Sequence, residues 1–503
     1  MPEKSDPGSS AMSGRLLRHV GCFFAYSLLG GVVAVVVGYS LRLKATPDLM
    51  VWHTVALQSE FHARDADRVR TLDDYRALED RLFTELQTRV YDQVAPENRR
   101  RFERYSRGGV ADPLAQPVNW NRTFELAAPA PRGGVLLLHG LSDSPYSMRA
   151  LAERLNARGF QVIGLRLPGH GTVPSGLLDV SWKDWAAAVR LAARELERHT
   201  GKGKPLYIVG YSTGAALAVD YAISRALGED LPPVSRMVLM SPAIGVSPAA
   251  ALAVWQQRVG RMLGVPKLAW TDILPEYDPY KYNSFTANAA EQVYAVTQEI
   301  AKQLDRPAGA SAPADFPRIL AFQSVADATV STPALIDALF RSLAPGRHEL
   351  VLFDINREAD VADLFAPGAP DFRQRLLTGP ALPFGLTIIA NANRGTDKMV
   401  AIHRSATSGA VTREPTDLAW PPGTFSLTHV ALPFAPDDPI YGERRPKGSE
   451  HIYLGRTALQ GERGLLVVSP ADLMRLRHNP FFEYMAARID AFLVDEQVAA
   501  RDR

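Results

Sequence analysis

Two glycines flank a serine at Gly210-Tyr211-Ser212-Thr213-Gly214. A serine hydroxyl is a weak nucleophile until a neighbouring base takes its proton. The G-x-S-x-G spacing is short enough to arise by chance, so its surroundings must separate a nucleophile elbow from an ordinary turn. Leu206-Tyr207-Ile208-Val209 reads as a short apolar strand before it. Ala215, Ala216, Leu217, Ala218, Val219 and Ala222 read as a helix of small residues after it. Strand, sharp turn and helix are what an elbow requires. The glycines two positions either side of the serine spare it a clash with the adjacent backbone. Ser212 is therefore the candidate nucleophile.

Acyl transfer from such a serine needs three further groups. An acid must orient and stabilise the base. Asp327 stands in Gln323-Ser324-Val325-Ala326-Asp327-Ala328-Thr329-Val330, a few residues past an apolar strand ending at Phe322 and before a helix start at Thr332-Pro333. Asp354, past the next strand, is its rival, and Asp327 is favoured. The base must follow the acid when the chain order is Ser, Asp, His. His348, His403, His429, His451 and His478 qualify by order. His348 precedes a strand, His478 opens the last helix, and His451 stands in a polar loop beside Glu450. His429, in the loop Phe425-Ser426-Leu427-Thr428-His429-Val430, fits best and His451 is second. Donors must also face the developing oxyanion. The loop His139-Gly140-Leu141-Ser142-Asp143-Ser144-Pro145 follows a buried strand, and the backbone N–H groups of Leu141 and Thr213 are the expected pair. His139 reads as a buried histidine that orders this loop. The reaction needs no organic cofactor and no metal.

The elements that would hold these groups alternate strand and helix. Val135-Leu136-Leu137-Leu138, Phe160 to Leu167, the elbow strand, Met237 to Met240, Ile319 to Phe322 and Glu349 to Phe353 are apolar runs of the kind that buried parallel strands show. Met148, Leu151 and Leu155 mark a helix closed by Gly159, and Ser181 with Asp184 forms a capping box for another. The rhythm predicts a mostly parallel sheet covered by helices on both faces. A final helix opens at Asn479-Pro480. Residues 118–246, 318–356 and 424–495 make up this core. Between them, residues 247–317 read as a helical, aromatic cap, with Trp255, Met262, Leu263, Trp270, Tyr280, Tyr282 and Phe285 as candidates to line an acyl pocket. Each of these taken singly is expected to hold the cap to the sheet. Residues 357–423 form a second insertion to which no role is assigned. No internal repeat is evident.

Ahead of the core, residues 45–115 read as a helical neck. Thr71 and Asp74 cap a helix whose stripe Tyr75, Leu78, Leu82, Leu86 and Val90 is expected to pack on the main domain, with a dimerising role as the alternative. Arg99, Arg100, Arg101, Arg104 and Arg107 read as a solvated basic face. After a short tail, 1–19, the run from Val20 to Leu41 carries no charge, long enough as a helix to span a bilayer. It reads as a retained single-pass anchor rather than a cleaved signal, since Tyr39-Ser40-Leu41-Arg42 is a poor cleavage site. The catalytic part is then expected outside the cytoplasm, on the periplasmic side. The net charge of +2 gives no electrostatic case for nucleic acid, and the single cysteine, Cys22, excludes an intramolecular disulfide.

The stretch LLLHGLSDSPYSMRALAERLNARGFQVIGLRLPGHGT, followed by SWKDW and VGYSTG, resembles the α/β-hydrolase-fold serine hydrolases, and within them the bacterial monoacylglycerol lipase and carboxylesterase group. The likeness is specific from about Gly134 to Gly214 and moderate around Asp327 and His429. It implies an α/β-hydrolase fold, an oxyanion loop at His139 to Pro145 and a structural turn at Gly169-His170-Gly171. The anchor, the neck and the long acid-to-histidine insertion depart from the family's pattern, and Thr213 stands where methionine is frequent. The expected protein is a membrane-anchored serine hydrolase cleaving monoglyceride or other lipid-derived esters through an acyl-enzyme. An acyltransferase with the same triad, and an inactive membrane-tethered binding module, are the alternatives.

Overall fold

The computed structural model describes residues 46–245, 265–304, 316–360, 362–365, 371–456 and 468–494, with isolated positions between 19 and 38. The chain divides into two units, Met1–Leu49 and Met50–Arg503. The expected anchor at 20–41 lies mostly outside the described residues. Among the described residues no helix is long and apolar enough to cross a membrane. The candidate cap residues Trp255, Met262 and Leu263 also lie outside them.

Among the described residues of the second unit twelve strands follow one another: β1 (Phe124–Leu126), β2 (Gly134–Leu138), β3 (Gln161–Leu165), β4 (Leu206–Tyr211), β5 (Val234–Met240), β6 (Trp270–Asp272), β7 (Phe285–Thr286), β8 (Arg318–Ser324), β9 (Glu349–Phe353), β10 (Gly385–Asn391), β11 (Lys398–Arg404) and β12 (Val411–Ala419). Ten form one sheet in the order β1-β3-β2-β4-β5-β8-β9-β10-β11-β12. The seven strands from β3 to β10 in that order run parallel, while β1, β11 and β12 are antiparallel to their neighbours. β6 and β7 pair with each other apart from it. The longer helices are α1 (Leu72–Arg89), α2 (Arg149–Ala157), α3 (Trp182–Thr200), α4 (Thr213–Ala226), α5 (Ala287–Leu304), α6 (Thr332–Ala338), α7 (Asp371–Thr378) and α8 (Phe482–Val494).

Strand alternation splits the core in two. Leu136, Leu138, Ile163, Leu165, Ile208 and Leu239 face Trp185, Val189, Leu217 and Val296 on one side. Val135, Leu137, Val162, Val209 and Val238 face Leu151, Leu155, Met485 and Ile489 on the other. Both faces of β2 and β3 are covered, which is why these strands read as unbroken apolar runs rather than alternating ones. Each such side chain contributes roughly 1.5–3 kcal/mol by leaving water.

The stretch read as a neck holds one long helix, α1, begun by the expected capping box: Asp74 N–H donates to Thr71 Oγ1 at 3.0 Å and Thr71 N–H to Asp74 Oδ2 at 3.0 Å. Leu72 and Tyr75 of α1 belong to the main core, as does Phe61 before it. Glu60 and Glu79 clasp the fully buried Arg166 at 2.9 Å each, so this stretch is built into the α/β body. The basic face is corrected at one position. Arg104 is buried, with its guanidinium 5.4 Å from the ring centres of both Tyr105 and Tyr282, because the aromatic faces replace water around the cation. Arg99, Arg100, Arg101 and Arg107 are exposed. In the stretch 357–423, β10 extends the parallel sheet from β9, and β11 and β12 fold back to lengthen it.

Candidate active site

The turn at Ser212 is strained. Ser212 has φ 52° and ψ −116°, a left-handed conformation that costs a residue with a Cβ free energy. It is held there by bonds on both sides: Ser212 N–H donates to the Met240 carbonyl at 2.9 Å, and Ala243 N–H donates to the Ser212 carbonyl at 3.0 Å. A Cβ on Gly210 would come within 2.6 Å of the Ala215 backbone, and one on Gly214 within 2.6 Å of the His139 carbonyl oxygen. The two glycines are thus required by close approach of backbone to backbone, and Gly214 in particular lets α4 press against the end of β2.

His429 and Asp327 converge on this serine. His429 Nε2 lies 3.1 Å from Ser212 Oγ, and His429 Nδ1 lies 2.8 Å from Asp327 Oδ2. All three are largely buried, with Ser212 retaining 8% exposure. Asp327 Oδ1 accepts from the N–H groups of Thr329 at 2.8 Å and Val330 at 2.9 Å, and Gln323 Nε2 donates to Oδ2 at 3.1 Å. Burial pushes the Asp327 carboxyl up, but the hydrogen bond and charge of His429, with the two N–H groups, together hold it below its usual value. A carboxylate ionised in this way favours the proton of His429 on Nδ1, which leaves the lone pair of Nε2 facing Ser212.

Side chains that sequence reasoning did not single out steady the histidine loop. Ser324 Oγ donates to the Leu427 carbonyl at 2.7 Å, tying the loop to the end of β8. Tyr211 Oη donates to the His429 carbonyl at 3.3 Å, and Thr428 Oγ1 donates to that of Leu476. Such bonds bridge residues far apart in sequence, so only the position of Ser324 and Tyr211 at strand ends could have suggested them.

The loop after β2 lies against the elbow. A Cβ on Gly140 would sit 3.1 Å from Ser212 Cβ. His139 orders it: Leu167 N–H donates to Nε2 at 3.1 Å, so Nδ1 carries the proton and donates to the Gly140 carbonyl at 2.8 Å. Burial, then the neighbouring His170, hold this imidazole well below its usual pKa, which keeps it neutral. The N–H groups of Leu141 and Thr213, the expected oxyanion donors, make no hydrogen bond with the described residues. Ser142, at φ 62°, is clamped by the cap, since Tyr282 N–H donates to its carbonyl at 2.8 Å. Tyr280 stacks on Tyr146 at 3.9 Å, and Lys281 Nζ stands 3.7 Å from buried Asp143. Tyr280 and Tyr282 therefore hold the cap segment to the body. Trp270 packs edge-on against His53 at 4.9 Å.

The rival residues are engaged elsewhere. Asp354 is fully buried and paired with Arg357 at 2.8 Å and Arg373 at 3.0 Å. His348 Nδ1 accepts from Ile319 N–H, and His403 meets Thr387 Oγ1 at 2.9 Å. His451 lines a separate cavity with Trp120 and Arg149. Among the described residues no cluster of His, Cys, Asp and Glu suited to a metal ion occurs.

Residues 129–354 match the family model described as serine aminopeptidase, S33. A thermostable monoacylglycerol lipase of Bacillus sp. (strain H-257) is 31% identical over 118 residues, which are 24% of this chain and 44% of that protein. A magnesium-chelatase 30 kDa subunit of Rhodobacter capsulatus is 29% identical over 153 residues, 26% of this chain and 48% of that one. The chain thus spans less than half the length of these curated relatives. Among solved structures, a monoacylglycerol lipase of Paleococcus ferrophilus is 23% identical with a TM-score of 0.34, covering 46% of this chain and 87% of that one. Sheet order, elbow and family match agree: the chain carries an α/β-hydrolase core, one that resembles the lipase and esterase group.

Proposed function

We propose that this protein is a serine hydrolase that cleaves carboxylic esters through an acyl-enzyme, with Ser212 as nucleophile, His429 as base and Asp327 as its orienting acid. The observation that carries this reading is the unbroken chain of contacts, 3.1 Å from Ser212 Oγ to His429 Nε2 and 2.8 Å from Nδ1 to Asp327. His429 Nε2 takes the hydroxyl proton as Oγ attacks the acyl carbonyl. The N–H groups of Leu141 and Thr213 receive the oxyanion, each such donor being worth about 3 kcal/mol to the transition state. The proton on Nε2 then passes to the leaving alcohol as the carbon–oxygen bond breaks. Water, deprotonated by the same nitrogen, attacks the acyl-enzyme and releases the acid.

The substrate class we propose is a monoglyceride or another lipid-derived acyl ester. The sequence of the monoacylglycerol lipase relative supports this class over the part of the chain it matches. The uncharged run at 20–41 supports a membrane anchor, a reading that rests on the sequence. Extraction of membranes with alkaline carbonate tests it: an anchored chain stays in the pellet.

Purified protein given p-nitrophenyl acyl esters and monoacylglycerols is expected to release product in a burst equal to the enzyme concentration, followed by slower turnover. Ser212→Ala should abolish both phases. Burst without turnover until an alcohol acceptor is added would replace hydrolysis by acyl transfer. A folded wild type that releases no acid or alcohol from any ester would refute the proposal.

A further inference from the structure

A second cavity, of about 450 Å³, opens beyond the ends of β9 and β10, and the proposed hydrolysis makes no use of it. Four arginines line it, Arg357, Arg373, Arg394 and Arg413, with only two carboxylates, Glu358 and Asp363. Beneath them Asp354 is fully buried, and it alone answers two of the four guanidiniums. Arg357 reaches it with two nitrogens, at 2.8 and 3.0 Å, and Arg373 with one at 3.0 Å. Glu358, also in the wall, accepts from the Gly395 N–H at 2.7 Å. Arg394 and Arg413 make no ion pair among the described residues. The crowding has an electrostatic cost that Arg373 registers. Burial first, then the charges of Arg357 and Arg413, hold its guanidinium below its usual pKa against the pull of Asp354.

Like charges gathered round a concavity are relieved by an anion, and the guanidinium fork matches phosphate oxygens in pairs. The volume falls within the range of small-molecule sites, larger than an inorganic ion alone needs. Phe365 and Ile402 add an apolar side to the wall, suited to an organic group attached to the anion. The cavity sits at the carboxyl edge of parallel strands, where ligands of open α/β sheets bind. Its floor is firm. Arg357 N–H donates to Asn391 Oδ1 at 3.0 Å, and Asn391 Nδ2 donates to Asn356 Oδ1 at 3.0 Å. Asn356 in turn donates to the carbonyls of Thr424 and Phe425, on the segment leading to His429.

We propose that this cavity is a binding site for a phosphate-bearing molecule, with Arg394 and Arg413 holding the phosphate and Arg373 behind them. The phosphate belongs either to a soluble phosphomonoester or to a lipid headgroup, and binding assays separate the two. The full chain, purified in neutral detergent, is titrated calorimetrically with inorganic phosphate and with glycerol phosphate. The same sample is titrated with water-soluble short-chain phosphatidylglycerol and, for comparison, short-chain phosphatidylcholine. The test variant is Arg394→Gln/Arg413→Gln, and Arg341→Gln, an exposed arginine elsewhere, is the control.

Saturable binding of glycerol phosphate that weakens at least tenfold in the double variant and not in the control supports the soluble ligand. Binding of the short-chain phosphatidylglycerol alone, with the same dependence on the two arginines, supports the headgroup. If the double variant does not fold, Arg413→Lys takes its place, since it keeps the charge and loses the fork; severalfold weakening is then expected. No binding of any of the four probes, or equal binding by wild type and variant, overturns the site. These readouts need no ester turnover, so their failure is independent of the reading of Ser212.

Discussion

Replacing Asp327 by asparagine changes one atom in the centre of the site and tests what the carboxylate does. Oδ1 would keep its two backbone donors, Thr329 and Val330, so the side chain should stay in place. The new NH2 group would then point at His429 Nδ1, which must turn from donor to acceptor. That forces the imidazole proton onto Nε2, 3.1 Å from Ser212 Oγ, where it blocks the base. Gln323 now donates to both Asp327 Oδ2 and the Val330 carbonyl, at 3.1 and 2.9 Å. Turning its amide to accept from the asparagine would forfeit the second bond, a net cost of about 1 kcal/mol to stability. Loss of the correct tautomer in a Ser-His-Asp triad lowers kcat about 10⁴-fold, or about 5 kcal/mol in the barrier. Steady-state hydrolysis of a p-nitrophenyl ester, with thermal unfolding to show that the variant is folded, measures this. A folded Asp327→Asn protein that keeps more than a tenth of wild-type kcat would refute the assigned role.

Three further outcomes follow from the packing and charge. Gly214→Ala forces a Cβ to within 2.6 Å of the His139 carbonyl oxygen, and should cost about 3 kcal/mol, the upper end for overpacking, read as a lower urea midpoint. Glu79→Ala leaves the fully buried Arg166 without one of its two carboxylates, and should destabilise the fold by about 3–5 kcal/mol by the same measurement. An unchanged midpoint would show that residues 45–115 are not integral to the body. Burial holds His53, His170 and His348 down to a pKa of about 4 each, from an unfolded value of 6.5. Below pH 6.5 the unfolded chain takes up protons that the folded chain refuses, so stability is full above that pH and falls as pH drops toward 4. Glu103, pushed up to about 8 by burial, acts in the opposite sense, so the histidine share is read as the difference in urea midpoint between wild type and His348→Phe at pH 7.5, 6 and 5; the same pH dependence in both proteins would contradict the burial of that ring.

The candidate residues of the site could be picked out by type and place: Ser212 and Asp327 lie just past the ends of β4 and β8, and His429 lies in a loop well past β12. Ser212 announced itself by its glycines, whose contacts with Ala215 and His139 are backbone to backbone and so leave a trace in residue type. Asp327 and His429 were separated from Asp354 and His451 by place along the chain, and the structure engages Asp354 with Arg357 and Arg373 instead. The parallel strands were legible because burial on both faces leaves no polar positions to interrupt them. β11 and β12 were not, since β12 is largely exposed and its residues, among them Thr412, Arg413 and Glu414, carry no apolar period. Arg104 was misread because a buried cation among tyrosines looks, in sequence, like any member of a basic run. The Gln323, Ser324 and Tyr211 braces depend on contacts between distant segments, which no local pattern records.

Ser212 is proposed above as a nucleophile activated by His429 and Asp327. Labelling the purified chain with a fluorophosphonate, and locating the adduct by mass spectrometry, tests it most directly. A single adduct on Ser212 is expected, with labelling strongly slowed in His429→Ala and Asp327→Asn. A folded wild type that takes no label, or a label on Ser212 that persists in His429→Ala and disappears in His451→Ala, would contradict it.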